Sequence, residues 1–168
     1  MRMDAMNRRD LMVALSSFAA LAAVAAEGQG QEPGNLPETM AVPKPPGSAG
    51  DPVLSTPGAF RFEDLPVVTT ANGETRAVTR GVLKGGEAVE MHETRLLPGH
   101  MPHPPHTHKH SEFILVREGQ IEFENNGKPD RVVGPGGVIF IVGDVLHGFK
   151  NVGTTTANYF VIAIGRDT

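Results

Sequence analysis

Gly99-His100-Met101-Pro102-His103-Pro104-Pro105-His106-Thr107-His108-Lys109-His110-Ser111-Glu112-Phe113-Ile114-Leu115-Val116 is the stretch on which the reading of this chain turns. Its histidines at 106, 108 and 110 share a parity with Glu112, so on extended backbone their side chains face one side. The run that follows, Phe113 to Val116, is apolar and β-prone, which places the polar cluster at the mouth of a buried strand. Imidazoles converging with a carboxylate suit a divalent ion such as Mn, Fe, Co, Ni, Cu or Zn. A His-x-His pair alone is a weak signal, because histidine-rich loops also bind metals loosely at surfaces. Histidines at even spacing, closed by a glutamate and running into an apolar strand, are harder to dismiss. The chain has no cysteine, which removes thiolate metal sites, disulfides and a cysteine nucleophile.

Outward from this stretch, short β-prone runs alternate with turn chemistry. Strands are expected at residues 60–62, 75–83, 88–97, 113–117, 120–124, 131–133, 138–142, 147–151 and 158–164. Between them stand Asn72-Gly73, Gly85-Gly86, Pro98-Gly99 and Gly134-Pro135-Gly136-Gly137. Asn125-Asn126-Gly127-Lys128 marks a hairpin, since asparagine and glycine tolerate positive φ. Close-set strands without helical periodicity predict an all-β sandwich or closed barrel over residues 59–168. Phe113, Phe140, Phe149 and Phe160 read most simply as core packing.

The N-terminal third reads differently. Paired arginines in Asn7-Arg8-Arg9-Asp10 precede apolar runs at residues 11–15 and 18–26, with Ala23-Val24-Ala25 as a cleavage site. Residues 1–26 are therefore expected to be a signal peptide of twin-arginine type, exporting the protein to the periplasm or beyond. No stable membrane insertion is expected after cleavage. Residues 27–58 are rich in Pro, Gly, Ser and Glu and read as a flexible tether, its last residues laid on the barrel. The net charge of −4 is mild and the basic residues are scattered, so no nucleic-acid partner is expected.

The histidine stretch resembles the first motif of the cupin family, with Gly99, His106, His108, Glu112 and Gly119 in the family's order. The gap from Gly99 to His106 is one residue longer than usual. A second motif resembles Gly136, His147 and Asn151, although Val142 and Asp144 stand where proline and glycine are usual, which leaves the shape of that turn open. The resemblance spans roughly residues 60 to 164. It implies a double-stranded β-helix, or jelly-roll barrel, with a metal ion held by His106, His108, Glu112 and His147, and it discounts His110 as a ligand. Four protein ligands around an octahedral ion leave two positions open to water or a bidentate substrate.

Two functions follow from such a site. The first is a metal-dependent enzyme of dioxygenase, lyase or isomerase type acting on a small oxygen-chelating molecule, with Glu112 doubling as a general base. The second is a barrel that binds a metal or small molecule without turnover. Copper and zinc win open competition for nitrogen and oxygen ligands. A protein folded before export instead acquires its ion in the cytoplasm, which favours Mn or Fe(II), with Zn, Ni and Cu as alternatives. A homodimer through edge strands is the expected assembly of such barrels. His92 faces either the pocket or solvent, and His100 and His103 sit in a proline-rich loop. Asn151 is either a residue supporting the site or a strand-end turn former.

Overall fold

The computed structural model describes Met40 and residues 44–166. The leader expected at residues 1–26 lies outside the described residues. Among the described residues nine strands form two antiparallel sheets: β1 (Val67–Thr70), β2 (Gly73–Val82), β3 (Ala88–Leu96), β4 (Ser111–Glu118), β5 (Ile121–Asn125), β6 (Lys128–Val133), β7 (Val138–Ile141), β8 (His147–Asn151) and β9 (Ala157–Ile164). One sheet runs β1-β2-β3-β9-β4-β7 and the other β6-β5-β8. This is the two-sheet jelly-roll architecture.

Alternation along each strand sends one set of side chains into the space between the sheets. Ile114 and Val116 of β4, Ile139 and Ile141 of β7, and Tyr159 and Val161 of β9 are buried there, with Phe149 from the opposing β8. The β5–β6 hairpin turns on Asn126 and Gly127 at φ 42° and 75°, the left-handed pair that such a turn demands. At Gly119, φ is 77° and a Cβ would lie 2.6 Å from the Ala157 Cα, so only glycine lets the β4–β5 turn pass this close to β9.

Several details differ from the reading of the sequence. Residues 60–62 form no strand; the chain makes a 3-10 turn at Phe62–Asp64 instead. β1, not among the expected strands, pairs with β2 through a turn at Ala71 and Asn72. Phe113 and Phe140 are not core residues: they are 37% and 56% exposed and pack on each other outside the barrel. A strand apolar on both faces reads as doubly buried, and nothing local says which face is covered.

The described part of segment 27–58 is laid on the barrel. Val53 bridges Val82 in parallel, and the Leu54 N–H donates to the Val82 carbonyl at 2.8 Å. Arg80 pairs with Asp51 at 2.9 Å. Met40 is buried in the core, its N–H donating to the Pro102 carbonyl at 2.9 Å. A Pro/Gly-rich segment has no core of its own, but its free backbone groups can pair with a ready-made sheet.

Candidate metal centre

The loop from Gly99 to His106 runs antiparallel to β8. Asn151 N–H donates to the His100 carbonyl at 3.0 Å and Gly99 N–H to the Asn151 carbonyl at 2.8 Å. At the far end His106 and His147 exchange both backbone hydrogen bonds. Pro102, Pro104 and Pro105 lack the N–H groups that would make this a regular strand. Asn151 is a turn former: its amide donates to the carbonyls of Leu96 and Thr155, and it accepts from the Gly153 N–H.

The next residues are fixed by the β7–β8 turn. Asp144 N–H donates to the His108 carbonyl at 2.7 Å. A Cβ on Gly143 would lie 2.0 Å from the Lys109 carbonyl oxygen, so the two segments meet only because that residue is glycine. Asp144 takes the left-handed conformation itself, with φ 63°. Aspartate is among the few residues that tolerate it, so the turn keeps a glycine-like backbone without the glycine.

Glu112 lies on β4 between Ile141 and Ala163 and points inward. Its Oε2 is 3.3 Å from His108 Nε2 and 3.8 Å from His147 Nε2; its Oε1 is 3.2 Å from His110 Nε2. One ring nitrogen each of His106, His108 and His147 lie within 4.8 Å of one another, and His108, His110 and Glu112 form an overlapping group. The structure thus brings together all four residues singled out in the sequence. It adds His110, buried and stacked on His108 with centroids 3.7 Å apart and planes 5° from parallel.

The protonation states suit a cation. His108 Nδ1 donates to the His110 carbonyl at 2.8 Å and His147 Nδ1 to the Val145 carbonyl at 2.9 Å, which orients both rings with Nε2 toward Glu112. Burial, then the neighbouring histidines, lowers the His106 pKa to about 4. Burial also lowers that of His147, the bond to Val145 notwithstanding. For Glu112, burial opposes ionisation, but the bonds and charges of His108 and His110 prevail and hold the carboxyl below the usual carboxylate range. For His106 and His147 the neutral imidazole, and for Glu112 the ionised carboxylate, are thus favoured, and these are the forms that ligate metals. Buried His106 Nδ1 and His147 Nε2 have no hydrogen-bond partner, an unusual cost unless something else meets them. The group could therefore hold a divalent ion.

Glu112 lines two cavities. One, of about 50 Å³, is shared with His92, His103, Tyr159, Phe149 and Met40. The other, of about 150 Å³, is shared with Lys44, Glu90, His106, His108 and His110. His92 faces inward, its Nδ1 2.9 Å from the Glu90 carboxylate. His103 stands edge-on to His106 at 4.2 Å. His100 is exposed and bonds Asn72 at 3.0 Å. Burial raises the Tyr159 pKa well above normal, keeping it a neutral phenol. Glu90 and Met40 escaped the reading of the sequence. Glu90 shares the parity of His92, a signal that was available, whereas nothing local in the chain brings Met40 here.

Residues 92–163 match the model of the Cupin domain. Among solved structures, an RmlC-like cupin from Shewanella frigidimarina superposes with a TM-score of 0.56 at 16% identity, over 66% of this chain and 93% of its own. KdgF from Halomonas sp. gives 0.56 at 18%, over 67% and 97%. A variant of oxalate decarboxylase from Bacillus subtilis gives 0.53 at 22%, over 62% of this chain and 28% of its own. No curated protein sequence matches the chain. The domain match covers less than half of the chain, and at these identities the structural likeness establishes the fold alone.

Proposed function

We propose that this cupin-type barrel holds one divalent transition metal on His106, His108, Glu112 and His147, and is a metal-dependent enzyme acting on a small oxygen-chelating molecule. The observation that carries the reading is the gathering of ring nitrogens of His106, His108 and His147 within 4.8 Å of one another, with Glu112 3.3 Å from His108 and 3.8 Å from His147, and two buried ring nitrogens without a hydrogen-bond partner. When bound, the ion supplies Lewis acidity or a redox centre for a dioxygenase, lyase or isomerase step.

The chain's own residues supply the rest. The small cavity beside Glu112 admits a compact substrate or the chelating end of a larger one. Met40 and Phe149 give that cavity an apolar wall that limits water. Glu112, the general base expected from the sequence, is a weak one, because both its oxygens are engaged and its carboxylate is stabilised. His92 is better placed: Glu90 fixes its Nδ1–H, leaving Nε2 as the basic nitrogen in a residue that lines the cavity. The neutral Tyr159 phenol is a hydrogen-bond donor on the same wall.

Export in a folded state supports Mn or Fe(II) over Zn, Ni or Cu, since an ion acquired in the cytoplasm would be carried out already buried. The oxalate decarboxylase of Bacillus subtilis, which shares the fold, has Mn(II) centres. The modest size of the inner cavity favours a second reading, a barrel that binds an ion or small ligand without turnover.

Elemental analysis of the mature exported protein, beside a His106→Ala/His147→Ala variant, is the direct test. About one Mn or Fe per chain, absent from the variant, is the expected result. Native protein without metal would refute the site. Equal metal content in exported protein and in protein refolded from mixed metals would remove the argument from export.

A further inference from the structure

Residues 44–54 are fastened to the barrel at several points. Pro46 is fully buried. Arg166 donates to the Gly47 carbonyl at 3.3 Å, and a Cβ on Gly47 would lie 2.7 Å from Arg166 Cγ. Val82 N–H donates to the Pro52 carbonyl at 2.8 Å, beside the bond from Leu54. A Cβ on Gly81 would lie 2.5 Å from that same Pro52 oxygen. β2 thus carries a glycine where the segment crosses it, since any side chain there would hold the segment off. The barrel is shaped to receive this run of chain.

Met40 and residues 44–46 reach the two cavities beside Glu112. Lys44, Pro45 and Pro46 line the outer one. Met40 lines the inner one with His92, His103 and Tyr159. It is 4% exposed, and its N–H is committed to Pro102 in the loop that leads to His106. Its side chain meets the apolar core on one side and the cavity on the other. At about 50 Å³ that cavity has room for only a few water-sized groups, at roughly 10–15 Å³ each.

We propose that Met40 is a specificity-determining residue, setting the size limit on ligands that reach Glu112 and His92. The inference rests on the reading of the inner cavity as the ligand site. Among the residues lining it, Met40 alone comes from outside the barrel strands and the loop leading into β4. Walls held by ladder hydrogen bonds cannot recede one at a time, whereas an unbranched thioether supplied from a separate segment fills whatever space they leave. The neutral Tyr159 phenol and an ion on the histidines both bind oxygen. Small carboxylates are therefore the class admitted, and branched ones are refused.

The test is the visible spectrum of the Co(II)-loaded mature exported protein, titrated with acetate and with pivalate. Pivalate exceeds acetate by as many carbons as the heavy atoms, Cγ, Sδ and Cε, that Met40→Ala removes. The wild type is expected to bind acetate at least ~10-fold more tightly than pivalate, and Met40→Ala to bring the two within about 3-fold. Met40→Leu, which conserves volume, should keep the wild-type ratio, and Met40→Val, a milder truncation, should lie between. A methionine that merely stabilises the barrel would lower Tm in these truncations and leave the ratio unchanged, and that result overturns the proposal. Modification of His92 by diethyl pyrocarbonate gives a reading that needs no metal. In metal-free protein Met40→Ala should speed it at least ~10-fold, measured against the exposed His100 of the same chain. Equal rates overturn the proposal even where metal binds. Faster modification in a protein that takes up no Co(II) would refute the metal reading while supporting Met40 as the limit.

Discussion

His106 and His147 exchange both of their backbone hydrogen bonds, at 3.0 and 3.1 Å, in an isolated antiparallel bridge that holds their ring centroids 4.7 Å apart. Their convergence is thus set by main-chain pairing and exists before any ion arrives. His147→Gln preserves that pairing while removing a candidate ligand nitrogen. It should reduce Mn(II) affinity by more than about 100-fold. The rise in Tm that saturating Mn(II) gives the wild type should disappear. Thermal unfolding with and without Mn(II), beside a calorimetric titration, measures both, and an undiminished Tm rise in the variant would count against the ligand assignment.

His110 is tied to two of the candidate ligands, its carbonyl accepting from His108 and its ring bonding Glu112. His110→Phe keeps an aromatic stack on His108 but leaves Glu112 Oε1 without this partner. Metal affinity should fall about 10- to 100-fold while the metal is still bound. Abolished binding would instead make His110 a ligand, and unchanged binding would make it a packing residue; Co(II) absorption spectra distinguish the cases.

Gly143 and Asp144 carry opposite expectations. Gly143→Ala forces a methyl group into the Lys109 carbonyl and should cost about 1–3 kcal/mol, displacing His108 with it. Asp144→Gly relieves a left-handed aspartate and should range from neutral to about 1 kcal/mol stabilising. Urea denaturation of the two variants decides both, and a harmless Gly143→Ala would mean that the two segments approach less closely than described.

The metal-free protein should be acid-sensitive. His106 has a folded pKa of about 4 against 6.5 for the free side chain, so its contribution is fully present above pH 6.5 and is lost as pH falls toward 4. His103 and His147 are lowered by burial and act in the same direction. Glu112, also lowered, extends the loss further into acid. Glu93 opposes them: burial raises it despite Arg76, so its contribution is present in acid and lost as pH rises through the folded value. Urea midpoints should fall between pH 6.5 and 4, and a midpoint rising over that interval would contradict the burial of the imidazoles.

Much of the site was legible because its logic is local. The common parity of His106, His108 and Glu112, the absence of cysteine and the apolar run after Glu112 all lie within a few residues of one another. A period of two is enough to read them onto one side of a strand. His147 needed the resemblance to a known pattern, since no local feature ties it to a histidine on another segment. The backbone bridge sets it beside His106.

The order of residues alone carries the class of fold and the candidate site: imidazoles and a carboxylate on short alternating strands closed by glycine turns. Tertiary structure alone decided which face of those strands is covered. Phe113 and Ile114 are adjacent and equally apolar, yet one faces solvent and the other the core, because burial depends on what the rest of the chain lays over each face. It alone also brought Met40 to the cavity, set Glu90 against His92 and turned His110 toward Glu112. Such contacts join segments whose separation along the chain carries no periodic signal, and only the closed barrel makes them neighbours.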